Sequence, residues 1–137
     1  MRSPSPSKKF LFAAAVAVAA LVAFVATRRA PACGGNGKIM STQTECRAWG
    51  FDAELCKTVV EKARAIAMRA APKMSNSIQC ETEFTDCFEA PDGAFYPKPS
   101  FCLRGDGKTA QEPTELHYLR YESDRMNRKK TREVPIN

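Results

Sequence analysis

Six cysteines restrict this chain more than any other feature: Cys33, Cys46, Cys56, Cys80, Cys87 and Cys102. Four of them form two close pairs, "CRAWGFDAELC" and "CETEFTDC", with nine and six residues intervening. The segment that reads as folded, residues 41–104, is short. At that size one hydrophobic core rarely suffices, and covalent staples are common. Structural zinc sites usually contain two thiolates roughly two to four residues apart, so that both reach one ion. Neither pair has that spacing, and the single histidine, His117, sits in a polar stretch and reads as an ordinary surface imidazole. A thioredoxin-like redox centre needs C-x-x-C at a helix start, and the sequence has none. No metal and no cofactor is expected. The cysteines read as a disulfide framework, provided the chain is exported.

The N-terminus supports export. "FLFAAAVAVAALVAFVA", residues 10–26, is an uninterrupted apolar run of 17 residues behind Lys8 and Lys9. As a helix it spans about 26 Å, slightly less than a bilayer core. It exceeds the usual signal-peptide core. Residues 1–29 therefore read as a membrane anchor, with a cleaved signal or a lipidated Cys33 as the alternatives. Charge agrees. Residues 1–29 carry a net +5, residues 30–107 a net −1 and residues 108–137 a net +2, which together give the +6 of the whole chain. The basicity flanks the apolar run, as in membrane-insertion signals. A nucleic-acid binder would place it on the folded face, so nucleic acid is not expected as a partner. The expected partners are the membrane, through residues 10–26, and an unidentified envelope protein. Residues 30–137 are expected on the periplasmic, oxidising side.

Residues 30–40, with "GGNGK", read as a flexible tether. Thr42 with Glu45 fits a capping box, and Gly50 stops the helix that follows. Asp52 caps a longer helix over roughly residues 53–70, with Leu55, Val59, Ala63, Ile66 and Ala70 on one face. Cys56, Val60 and Ala67 widen that stripe, and Pro72 ends the helix. A third, short helix starts at "SNSIQC", capped by Ser75 or Ser77. "EAPDGAFYPKPSFC" reads as an extended, aromatic-bearing strap over the helices. Residues 105–137 read as a charged tail, helical or disordered. The expected fold is mainly α: two to three short helices and a Pro/aromatic strap, stapled by disulfides, behind an N-terminal transmembrane or signal helix.

Sequence leaves the pairing of Cys46, Cys56, Cys80 and Cys87 open. Local bridges come first: Cys46 and Cys56 can face each other across the Gly50 corner. Cys80 and Cys87 would be about 10 Å apart on an unbroken helix, too far for a bridge, so they can pair only if the helix breaks near Thr85. An antiparallel lacing of the two pairs is the rival. Cys33 and Cys102 are candidates for a third bridge, with lipidation of Cys33 as the other option.

The pieces "TECRAWGFDAELC", "EKARAIAMRAAP", "CETEFTDC" and "GAFYPKPSF" occur in this order over residues 39–103. The chain resembles the YgiB-like family of bacterial envelope proteins, a domain of unknown function. The resemblance implies an envelope location and no established activity. The first cysteine pair is also similar to those of the helical-hairpin proteins of the mitochondrial intermembrane space, which implies, as the alternative, a small accessory subunit of a membrane complex.

No Gly-rich phosphate loop, G-x-S-x-G or H-E-x-x-H motif occurs. The acidic run Glu81, Glu83, Asp86, Glu89 and Asp92 reads as a solvated face. No catalytic residues are assigned, and the chain is expected not to be an enzyme. A thiol oxidoreductase is the less favoured alternative. Trp49, Phe95, Tyr96 and Phe101 form a candidate interaction patch, weighed against burial in a small core. The expected function is that of a membrane-tethered structural or interaction module.

Overall fold

The computed structural model describes residues 14–21, 33–105, 109 and 111–137. Residues 14–21 are helical and exposed, and belong to a separate unit, Met1–Pro31. The rest of the apolar run lies outside the described residues. Among the described residues no helix is long and apolar enough to cross a membrane.

The second unit, Ala32–Asn137, is not mainly α, which corrects the expected fold class. Its elements run β1 (Lys38–Met40), α1 (Gln43–Ala48), α2 (Ala53–Ala70), α3 (Ser77–Glu83), β2 (Cys87–Glu89), β3 (Phe95–Pro97), β4 (Ser100–Leu103), β5 (Thr114–Ser123) and β6 (Lys129–Pro135). The larger sheet has the order β1-β4-β5-β6 and the smaller one pairs β2 with β3; every pairing is antiparallel. Two isolated bridges, Met74 to Phe95 and Phe84 to Arg120, attach the ends of α3 to the two sheets.

The helices follow local rules. Thr42 caps α1 by accepting the Glu45 N–H at 3.1 Å, and the Glu45 carboxylate reaches back to the Ser41 N–H at 2.8 Å. Gly50 takes φ +89°, open to glycine without steric cost, and turns the chain into α2. Asp52 caps α2 through the Glu54 N–H. Its fully buried face is Cys56, Val59, Val60, Ala63 and Ala67; Leu55 and Ile66 lie at its margin and Ala70 is exposed. The cap of α3 is Asn76, between the two serines expected for it.

The strap is strand-forming. Hydrogen bonds from Ala90 N–H to the Ala94 carbonyl and from Gly93 N–H to the Ala90 carbonyl close a tight turn, with Gly93 at φ +81°, and join β2 to β3. Residues 114–135, read from the sequence as a helical or disordered tail, form the β5–β6 hairpin. Its turn repeats the same bonding, Asp124 N–H to the Arg128 carbonyl and Asn127 N–H to the Asp124 carbonyl, with Asn127 at φ +60°. Asn tolerates that conformation better than most non-glycine residues. The stretch read as a tether is in part fixed: β1 begins at Lys38, Cys33 is bonded to Cys102, and the Arg104 guanidinium donates to the Gly34 carbonyl at 3.2 Å.

His117 is a further correction. It is buried on β5, and its Nδ1 donates to the Glu115 carbonyl at 2.9 Å. Glu115 sits at φ +52° where the β4–β5 register shifts, so the ring secures a bulge.

The bridges are Cys46–Cys56, Cys80–Cys87 and Cys33–Cys102, with Cα separations of 5.7, 6.2 and 5.7 Å. The first joins α1 to α2 across the Gly50 corner. The second is within reach because α3 ends at Glu83, and it ties a helix to a strand. That departs from a pure helical-hairpin pattern. The third closes a loop of sequence separation 69, against 10 and 7 for the others. On loop entropy, replacing both Cys33 and Cys102 by serine should cost about 4 kcal/mol, and replacing Cys46 and Cys56 about 3 kcal/mol. Urea midpoints of the two double variants, at equal slope, check this order; a higher midpoint for the Cys33/Cys102 variant contradicts it.

Candidate binding groove

The aromatic residues singled out in the sequence are not brought together. Phe101 is fully buried in the main cluster with Met40, Val59 and Leu103. Tyr96 is buried elsewhere, stacked on Phe88 at 5.9 Å between ring centres. Phe95 is half-buried against the Cys80–Phe84–Tyr118 cluster. Trp49 stands apart and is 53% exposed. As a joint patch the four do not exist. Five of the six cysteines are buried and Cys87 is half-buried, so the sulfurs offer little access to an attacking thiolate.

A concavity lies between α3 and the β5–β6 hairpin, an open groove of about 890 Å³. Its position follows from the chain. Tyr118 packs edge-on to Phe84 at 5.3 Å, which seats the root of the hairpin on the end of α3. Phe84 also bridges Arg120 and the Thr85 N–H donates to the Leu119 carbonyl; past these contacts β5 and β6 pair with each other through Ser123 and Lys129, and the ribbon overhangs the helix. Met74, Ile78 and Tyr121 give the groove its apolar lining, and Ile78 is 76% exposed. The rim is charged and tied down. Arg120 pairs with Glu83 at 2.6 Å, and the Lys129 ammonium lies 3.5 Å from the centre of the Tyr121 ring. Such a surface can hold an apolar side chain within a polar border. Its lining also carries the hydroxyls of Thr82 and Ser123 and the charged groups of Glu83, Glu122 and Lys129.

A second groove of about 590 Å³ runs between α2 and β2. There Arg64 lies over the Phe88 ring at 5.3 Å, with its Nε buried and without a hydrogen-bond partner among the described residues. Glu61 and Glu89 share this groove, so its charge is mixed.

The hairpin turn beside the first groove is fixed by Asp124. Its carboxylate accepts the Arg128 N–H and the Met126 N–H at 2.9 Å each, and Arg128 and Lys130 pair with it at 3.0 and 3.7 Å. The Arg128 backbone N–H, foremost, holds the Asp124 carboxyl below the usual aspartate range. The turn of the smaller hairpin works similarly: the Ala94 N–H, then Lys73, lower Asp92, and Asp92 in turn raises Lys73.

The family profile described as "Protein of unknown function (DUF1190)" matches residues 35–116. The chain belongs to this DUF1190 family. No curated protein and no solved structure matches it. The DUF1190 match runs from before β1 into β5 and takes in α3, whereas most of the hairpin that forms the other wall of the groove lies beyond it. The sequence reading missed this groove because its second wall was assigned to a tail. The available signals were the "SDRMNRK" turn and the tyrosines on both sides of Leu119.

The Asp124 value carries a direct expectation. Because the folded carboxyl is more acidic than the unfolded one, its contribution to the turn is complete above the ordinary aspartate value of 3.8 and is lost as pH falls through the lowered value. A carbon-detected titration of the Asp124 carboxyl should therefore have a midpoint below 3.8, and Asp124→Asn should weaken the turn at neutral pH. A midpoint at or above 3.8 contradicts this.

Proposed function

We propose that this DUF1190 protein is a non-enzymatic, membrane-tethered module of the bacterial cell envelope that acts by contact with another envelope protein. Residues 10–26 are its anchor, and residues 30–137 lie on the periplasmic side. The observation that carries this reading is that all six cysteines are joined in three disulfides. Such bridges persist in oxidising compartments and are rare elsewhere. The ordered motifs shared with the YgiB-like family support the same location.

The groove between α3 and the β5–β6 hairpin is the contact site in this reading. Ile78 exposes three-quarters of its surface there although the domain has little apolar area to spare. An exposed isoleucine in a concavity with a charged border suits an apolar anchor residue of a partner. The burial of the sulfurs speaks for structural bridges rather than a thiol oxidoreductase.

Two experiments test this. A reporter that is active only after export, fused behind Asn137, should be active; activity confined to a reporter that works only in the cytoplasm sinks the location. A photo-reactive residue in place of Gln79 should capture an envelope protein, and adding Ile78→Asp should abolish that capture while the melting temperature stays within about 2 °C, as expected for an exposed site. Capture that survives Ile78→Asp places the contact elsewhere.

A further inference from the structure

The two edges of the larger sheet differ. At one end β1 has only three residues, and the Trp49 indole N–H donates to the Ile39 carbonyl at 3.3 Å. At the other end β6 runs for seven residues, Lys129–Pro135, and no strand lies beyond it among the described residues. An open edge of that length is a template for a further strand.

The hairpin bonding fixes which backbone groups of β6 face outward. The Asp124 N–H donates to the Arg128 carbonyl and the Ile136 N–H to the Leu116 carbonyl, so Arg128 and Ile136 turn their backbone groups towards β5. The register between them is unbroken, from Ser123 with Lys129 to His117 with Pro135. Hydrogen-bonded and non-hydrogen-bonded pairs alternate along an antiparallel ladder. Lys130, Arg132 and Val134 therefore bond to β5, and Lys129, Thr131 and Glu133 direct their N–H and C=O groups away from it. Pro135, next in that outward series, has no N–H to offer and closes it.

Lys129, Thr131 and Glu133 also share one side-chain face, because successive side chains of a strand alternate. On the other face Lys130 and Arg132 are neutralised within the chain, by Asp124 at 3.7 Å and Glu122 at 3.1 Å. Lys129 rests on the Tyr121 ring and Glu133 is exposed; neither has an ion-pair partner among the described residues. The two charges left over on β6 are thus opposite in sign and stand symmetrically about Thr131.

We propose that β6 pairs antiparallel with β6 of a second copy of this chain, about a twofold axis at Thr131. Thr131 then faces Thr131 of the other copy, and Lys129 of each chain stands opposite Glu133 of the other. Every outward N–H of Lys129, Thr131 and Glu133 finds a carbonyl, and the two four-stranded sheets become continuous. Thr–Thr and opposite-charge neighbours are pairs that stabilise a ladder. An axis at Lys130 or Arg132 keeps the backbone bonds but sets that cation against itself and separates Lys129 from Glu133. The axis at Thr131 places Lys130 opposite Arg132 of the other copy, and each of these carries its own carboxylate. Lysine on an edge ordinarily discourages pairing. Here the outward lysine selects the register and the partner.

The test follows the full chain in detergent by sedimentation velocity over a concentration series, which should show a reversible dimer. Lys129→Glu alone and Glu133→Lys alone should each weaken it about tenfold, because each sets like charges at both ends of the ladder. The two changes combined in one chain should restore the dimer. So should a mixture of the two single variants, in which every cross-strand charge is matched. Thr131→Pro removes an outward N–H and leaves the bonds to β5 intact, so it should abolish the dimer with little change in melting temperature. A chain that stays monomeric up to about 0.1 mM, where weak association is still visible, overturns the proposal. So does a dimer that is indifferent to Thr131→Pro and to the single charge reversals, as one held by the apolar run would be. Weakening by both single variants without recovery in the double variant or the mixture overturns it as well.

Discussion

Strand β4 is four residues long, and three of them, Phe101, Cys102 and Leu103, are fully buried. Buried backbone groups must be hydrogen-bonded, so β4 needs partners on both edges. It finds β1 on one side and β5 on the other, which brings together segments from the two ends of the domain. Cys102, in the middle of this strand, bonds to Cys33 and locks the first of these segments. The large apolar side chains of β4 then form the floor on which α2 lies.

That floor matters because α2 supplies little area of its own. Its buried face consists of alanines, valines and one half of a cystine. Small residues let the helix approach the sheet closely, and the disulfide to α1 fixes it there at modest cost in apolar surface. The remaining packing is divided into two satellite clusters, around Phe88 with Tyr96 and around Phe84 with Tyr118. Ile136, next to the C-terminus, packs against all three clusters. Half-buried Ile136 therefore ties the end of β6 to the core, and the hairpin is held at its root while its tip borders a groove.

The charged segment after residue 113 shows why local reading fails here. Leu116, Leu119 and Met126 lie at helical spacing, and Glu, Arg, Lys and Leu all favour helix in isolation. In the structure Leu116 and Tyr118 are buried in different clusters, and Met126 is exposed at the turn. The strand state wins because β4 offers an open edge and Phe84 offers a seat for Tyr118, both set by residues far away in sequence. His117 was misread for the same reason. A polar neighbourhood in sequence became a bulge beside a buried strand.

By itself the sequence determined the parts whose hydrogen bonds close within a few residues. The caps at Thr42 and Asp52, the corner at Gly50, the stop before Pro72 and the extent of α2 all depend on neighbours on the same turn. The cysteine count and spacing likewise favoured bridges over a metal. Only the tertiary structure decided the partners of β4, the joining of Cys33 to Cys102, and the groove between α3 and the hairpin. Strand pairing and burial are contacts between segments distant along the chain. No local pattern specifies which edge will be open until the rest of the core has formed.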